Sequence, residues 1–371
     1  MAQDQEDNTP KYSNEFLAIG VGARGLALSR AYNAVCFDAT AGYWNPAGLL
    51  GLSNQYDLLL TRASFFGGVS NYDHVGFANR NADSTQAFGL TFIRMGIDDI
   101  PDTRLLVDAN GGINYDRVRS FSEASYAFMF SYARLFAIKY KGKDKEGQEE
   151  EKKLNIRTGA SVKVIHRVAG PFAKAWGFGI DLGAHTEYKK FLFGLTLRDI
   201  STTYNAWNFN EEEVREVFLN TGNEVPLSST EITLPTMVLG VARPLALSEN
   251  IGLTSMIGLE TTFDGKRNVL IKSNLLSISP SIGVELDYKN MAFLRGGVGN
   301  FQQIKNFDNT FVTTTQPSFG VGFKYKLFVV DYALTNVGGL GGIPYSHVFS
   351  LRVAFAQEHL NKIKNLNKPK G

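Results

Sequence analysis

The sequence predicts an all-β protein, a transmembrane antiparallel β-barrel of about fourteen strands with an N-terminal hatch or plug segment. Three observations predict it. From about residue 55 to residue 355, stretches of about ten residues alternate large apolar side chains with small or polar ones. The second face of these stretches is rich in glycine and carries isolated charges of both signs. Long and short joins between the stretches then alternate along the chain.

Composition agrees. Glycine makes up 37 of 371 residues and aromatics 12%, a glycine share about one and a half times the usual one. The formal net charge of +2 supplies no basic field, so no nucleic-acid partner is expected. The single cysteine, Cys36, forbids an internal disulfide and a cysteine-rich zinc site. His74, His166, His185, His347 and His359 are scattered without ligand spacing, so no metal and no cofactor are expected.

Residues 1–12 read as a flexible N-terminus. Their polar, acidic opening, with Ala2-Gln3 as a cleavage scar, is what remains when an export signal is removed; a native cytosolic start would look the same. Residues 13–53 are the expected hatch. Gly20-Val21-Gly22-Ala23-Arg24-Gly25 is a literal G-x-G-x-x-G, which in a dinucleotide site sits inside a βαβ unit. Here a short helix after Gly25 leads into the turn-rich "FDATAGYWNPAG", and no second strand follows. The nucleotide reading fails on that context. A barrel of this size is too wide for its own side chains to fill. A Gly- and Ala-rich segment can fold inside it, where close backbone approach needs glycine. Asn45-Pro46 ends the preceding run and sets a turn.

The barrel is expected over 54–355, with strands near 56–66, 69–79, 86–95, 122–133, 155–166, 175–185, 190–199, 232–242, 250–261, 281–288, 291–299, 316–326, 328–335 and 346–355. In one of them Trp176, Phe178, Ile180 and Leu182 oppose Gly177, Gly179, Asp181, Gly183 and His185. In another, Phe319, Val321, Phe323 and Tyr325 oppose Ser318, Gly320, Gly322 and Lys324. A period of two marks strands, and no matching series of helices intervenes to build a parallel sheet. In a soluble sandwich the apolar face turns inward. Here the expectation is inverted, with the apolar face on lipid and glycine and charge in the lumen.

Among the joins, 96–121, 200–231, 262–280, 300–315 and 336–345 are long, whereas 186–189, 289–290 and Leu327 are short, with 134–154 the exception. Sorting of this kind is how bacterial barrels are built. The charge run 141–153 reads as a solvated, mobile extension of one turn. Residues 211–220 read as a helix inside the longest loop, with Glu211 to Glu213 favourable at its start. Residues 356–371 read as a C-terminal periplasmic tail.

The stretch "GVGARGLALSRAYNAVCFDATAGYWNPAGL" resembles the N-terminal signature of the PorV/PorQ family of outer-membrane barrels, and is more distantly similar to FadL-type transporters. The matching positions are Gly22, Ala23, Arg24, Gly25, Asp38, Ala39, Trp44, Asn45, Pro46, Ala47 and Gly48, with weaker similarity through 63–78 and 88–101. Leu28-Ser29-Arg30 departs from the small residues of many members. The resemblance implies a hatch motif of Gly22, Arg24, Gly25, Asp38, Trp44, Asn45, Pro46 and Gly48, and a place in the bacterial outer membrane among its lipids. It implies a non-enzymatic component of type IX protein secretion, with the secretion translocon, cargo C-terminal domains or attachment machinery as partners. The alternative is a FadL-like outer-membrane transporter of hydrophobic small molecules, and the third reading a soluble all-β binding protein. No catalytic motif such as G-x-S-x-G occurs. The inward charges Arg157, Asp181, Arg198, Glu285, Asp287, Lys324 and Arg352 either bind a substrate or pair to satisfy a wet lumen.

Overall fold

The computed structural model describes residues 13–107, 111–143, 149–220, 228–305, 310–336 and 346–357. Seventeen strands follow one another: β1 (Tyr56–Phe65), β2 (Ser70–Arg80), β3 (Gln86–Asp102), β4 (Arg119–Lys143), β5 (Glu149–Ala169), β6 (Ala173–Tyr188), β7 (Phe191–Arg198), β8 (Thr203–Phe209) and β9 (Ser228–Thr233). β10 (Thr236–Ala246), β11 (Ile251–Thr262), β12 (Ile271–Lys272), β13 (Ser277–Tyr288), β14 (Ala292–Lys305), β15 (Phe311–Tyr325), β16 (Phe328–Thr335) and β17 (Ser346–Phe355) complete the set. Fourteen of them form a closed antiparallel barrel. β1 to β7 pair in sequence, β7 pairs β10, β11 pairs β13, and β17 returns to β1 with Tyr56 opposite Phe355. The other three lie on the long joins, β8 against the outer half of β6, β9 against β8, and β12 against β13.

The expected inversion of faces is what the wall shows. Trp176 is 59% exposed and Phe319 56%, along with Phe88, Leu90, Phe128, Phe130, Val321 and Phe323. The alternate positions are buried and polar, among them Asp57, His74, Ser131, Lys163, Asp181, Arg295 and Ser350. No described helix is long and apolar enough to cross a membrane.

Two sequence expectations need correction. The 134–154 join is no exception, because β4 and β5 continue their ladder as far as Lys143 opposite Glu149. The charge run belongs largely to that hairpin, where Lys139 and Glu151 pair at 2.9 Å; residues 144–148 of it lie outside the described residues. The stretch 232–242 is two strands, since Pro235 has no N–H to donate and the ladder breaks between β9 and β10. Every join at one end, such as 81–85, 189–190, 247–250 and 326–327, is short, as barrels place them on the periplasmic side. The helix expected at 211–220 is α4 (Glu211–Asn220), introduced here after three shorter ones: α1 (Glu15–Ala18), α2 (Ala23–Ala27) and α3 (Ala41–Trp44). The 1–12 terminus and the tail beyond Gln357 lie outside the described residues.

Candidate functional site

Residues 13–55 lie inside the ring of strands, and nearly all of 20–50 is buried. The segment starts near the long joins, where Ser13 donates to Glu231 and Asn14 to Thr233. It leaves at the opposite end, where Gln55 meets Arg80 and Gln357.

Its centre is Trp44. The indole Nε1 donates to the Val21 carbonyl at 3.0 Å, and Tyr32 and Tyr43 meet the ring edge-on. Two of the three motif glycines make room for it, and the third faces Thr40. A Cβ on Gly20 would lie 2.8 Å from the Trp44 ring, and one on Gly25 3.0 Å. Gly22 takes φ +80 as the N-cap of α2, a conformation that L side chains avoid. The glycines therefore serve an indole, with no phosphate required. Asn45 ends α3; its side chain accepts from the Ala47 N–H and donates to Ala184 O on β6. Pro46 then opens a 3-10 turn as far as Gly51, at the first position where a missing N–H costs least. Gly48 faces the Cys36 carbonyl so closely that a Cβ would sit 2.2 Å from it.

Charged side chains tie the segment to the wall. Arg24 forks onto Glu285 at 2.7 and 2.8 Å, and Glu285 also receives Arg295, which continues to Asp331. A buried network of this kind stands because each member has an opposite charge. Asp57 on β1 pairs with Arg352 and accepts from the Ala39 N–H. Asp38 accepts from Tyr32, Thr40 N and Thr40 Oγ1. Burial alone would push the Asp38 carboxyl up, but the Arg352 and Arg24 guanidiniums and these hydrogen bonds outweigh it and hold it below the usual carboxylate range. Burial pushes the Cys36 thiol well up. The bulky departure at Leu28-Ser29-Arg30 has its own solution: Ser29 and Arg30 adopt φ 49 and 68, and Arg30 donates back to Ala18 O at 2.8 Å.

The wall meets this segment with glycine. A Cβ on Gly159 would come within 2.5 Å of Pro46 backbone, on Gly194 within 2.6 Å of Asn33 O, on Gly297 within 2.5 Å of Leu28 C, and on Gly320 within 2.5 Å of Ala27 Cβ. Several are cross-strand neighbours, with Gly159 opposite Gly183, Gly194 opposite Gly240 and Gly283 opposite Gly297. A belt of missing side chains thus surrounds the buried backbone.

Above it, toward the long joins, is a cavity of about 320 Å³. Glu15, Ile19, Ser29 and Arg30 of the inner segment line it with Glu260, Arg267, Asn300 and Gln316 of the wall. A deeper pocket of about 80 Å³ shares Glu15, Ala18, Glu260, Thr262 and Arg267 with it and ends on Lys163 and Arg198. Lys163 is held between Asp181 and Asp199. Arg198 lies over the Tyr43 ring at 5.0 Å and the Trp44 ring at 5.7 Å, with no carboxylate in ion-pair range among the described residues.

All eight motif residues thus fall in or beside one buried cluster, each in a packing or tethering role. Of the seven inward charges, Asp181, Glu285 and Arg352 pair; Arg157, Arg198, Asp287 and Lys324 form no ion pair among the described residues. The partners Lys163, Arg295 and Asp57 were not singled out from sequence. Period two puts all three on the lumen face, but nothing local says which residues far along the chain they meet.

No family model matches the chain, and no curated protein matches its sequence. Solved barrels do resemble it. The toluene transporter TbuX of Ralstonia pickettii is 13% identical, covering 91% of this chain and 98% of its own, with a TM-score of 0.45. The toluene transporter TodX of Pseudomonas putida is 13% identical, covering 90% and 96%, at 0.47. A FadL homologue of Pseudomonas aeruginosa is 12% identical, covering 93% and 99%, at 0.46. The closed fourteen-strand architecture stands on the strand pairing itself.

Proposed function

We propose that the chain is an outer-membrane channel for a small amphipathic molecule, with residues 13–53 as its hatch. One observation carries this reading. The cavity open toward the long joins leads, through shared lining residues, to an unpaired guanidinium resting on the hatch's central indole. A half-buried cation with no ion-pair partner among the described residues favours an anionic group, so a ligand with an acidic head would be held at Arg198 while touching the part that must move. Catalysis plays no role in this reading, and the bacterial outer membrane is its location.

A disulfide lock tests it. A Cβ on Gly299 would lie 3.5 Å from that of Ser29, inside the range of about 3.5–4.5 Å that a disulfide needs. The double variant Ser29→Cys/Gly299→Cys, oxidised in proteoliposomes, should stop uptake of octanoate, and reductant should restore it. Uptake indifferent to the lock would end the proposal, and octanoate transport unchanged in the Arg198→Gln variant would remove the acidic head group from it.

The secretion-partner reading, with its PorV/PorQ assignment, keeps one specific support. Leu105, Val107, Ile113 and Tyr115 expose apolar surface on a long join, as a protein-docking loop would. A mild-detergent pull-down that recovers a translocon or secreted cargo, lost on Tyr115→Ser/Ile113→Ser, would favour it.

A further inference from the structure

The β4–β5 hairpin outruns its neighbours at the short-join end. β3 stops at Gln86 opposite Arg134, and the last contact on that side is Leu135 N donating to Thr85 O at 2.9 Å. β6 last pairs β5 at Ile156 opposite Thr186. From Phe136 to Tyr140, β4 therefore has no strand on its β3 side among the described residues. Backbone groups alternate along a strand, so Ala137 and Lys139 direct their N–H and C=O to the same open side as Leu135. Backbone in that condition is not accommodated in hydrocarbon, which places this edge in water. Yet its outward face is greasy: Phe136, Ile138 and Tyr140 are exposed, beside the half-buried Leu154 and Ile156. Its other face is net basic: Lys139, which pairs with Glu151 at 2.9 Å, stands with Lys141 and Lys153.

From this juxtaposition we propose that the β4 edge accepts an added strand, and that its occupant is an extended segment of a partner protein in which apolar residues alternate with acidic ones. The open main chain calls for a strand. The apolar positions would extend the Phe136–Ile138–Tyr140 row, and the acidic ones would meet the lysine face. The inference is independent of the channel reading, since it uses neither the cavity nor the hatch.

The test uses the full chain in nanodiscs and a fluorescein-labelled synthetic peptide of alternating Val and Glu, with a peptide of the same composition in separate Val and Glu blocks as control. Saturable binding of the alternating peptide alone is expected. Ala137→Pro removes one edge-facing N–H without touching the β4–β5 ladder, and Lys139→Glu reverses one charge. Each should weaken binding roughly tenfold, while heat-modifiable gel mobility shows that both variants stay folded. Equal binding of the blocked peptide, no binding, or binding indifferent to both variants would overturn the proposal. So would dimerisation of the chain abolished by Ala137→Pro, since a second copy would then be the occupant.

Discussion

Trp44 shows what a single side chain does here. Gly20, Gly22 and Gly25 have the spacing of a phosphate loop, but their neighbours are an indole and Thr40. Gly25→Val should therefore displace the Trp44 ring, visible as a red-shifted, quenchable tryptophan signal in a Trp176→Phe/Trp207→Phe background. Arg24→Gln leaves Glu285 to Arg295 alone, and loss of one partner from a buried charge network costs about 3 kcal/mol. Denaturant unfolding of the hatch, followed by the same fluorescence, reads that loss. Asp38 sets the pH behaviour. Its folded pKa is depressed, so its contribution is complete above its unfolded value of about 3.9 and disappears as pH falls through the folded one. The part of the hatch signal that Asp38 supports should be lost only below about pH 4. Cys36, buried and with its thiol pushed up, should resist maleimide at pH 8 until the hatch is displaced, which makes alkylation a direct readout of opening.

Strands were legible because alternation is local. So were the end of α3 at Asn45-Pro46 and α4 over Glu211–Asn220, since each is written in neighbouring residues, whereas the helix expected after Gly25 lies over Ala23–Ala27 and gives way there to turns. Joins were less so. Three short turns carry Tyr followed by Lys, with Lys189, Lys289 and Lys326 each over the preceding tyrosine ring and each at positive φ. That repeat is visible in the sequence once the turns are known, but it is no turn signal by itself, because lysine is uncommon in the left-handed region. The glycine belt was foreseen as a need for close approach, but which glycine meets which hatch atom depends on pairings remote in sequence. It yields a clean prediction. Valine suits a strand, so Gly297→Val should leave the barrel folded while its side chain collides with Leu28 and Ser29 backbone. Single-channel conductance should rise, and outer-membrane exclusion of vancomycin should fail, with heat-modifiable mobility unchanged.

At the scale of the molecule, the barrel and the segment inside it are one system of contacts, with Arg24 on Glu285, Asp57 on Ala39 and Asn33 on Val238. Arg24 and Glu285 lie 261 residues apart and Asn33 and Val238 lie 205 apart, and this is the part no sequence period can reveal. The seam between β1 and β17 has a further consequence. The ring shuts only when the last strand synthesised, ending at Phe355, zips onto the first, beginning at Tyr56. The N-terminal segment spans the bore from Ser13 at one mouth to Gln55 at the other. Laying it down while the sheet is still open needs no threading, whereas inserting it afterwards would draw it through the whole length of a finished cylinder. Loading must precede closure, so whichever machine delivers this protein to its membrane has to receive cargo and container together.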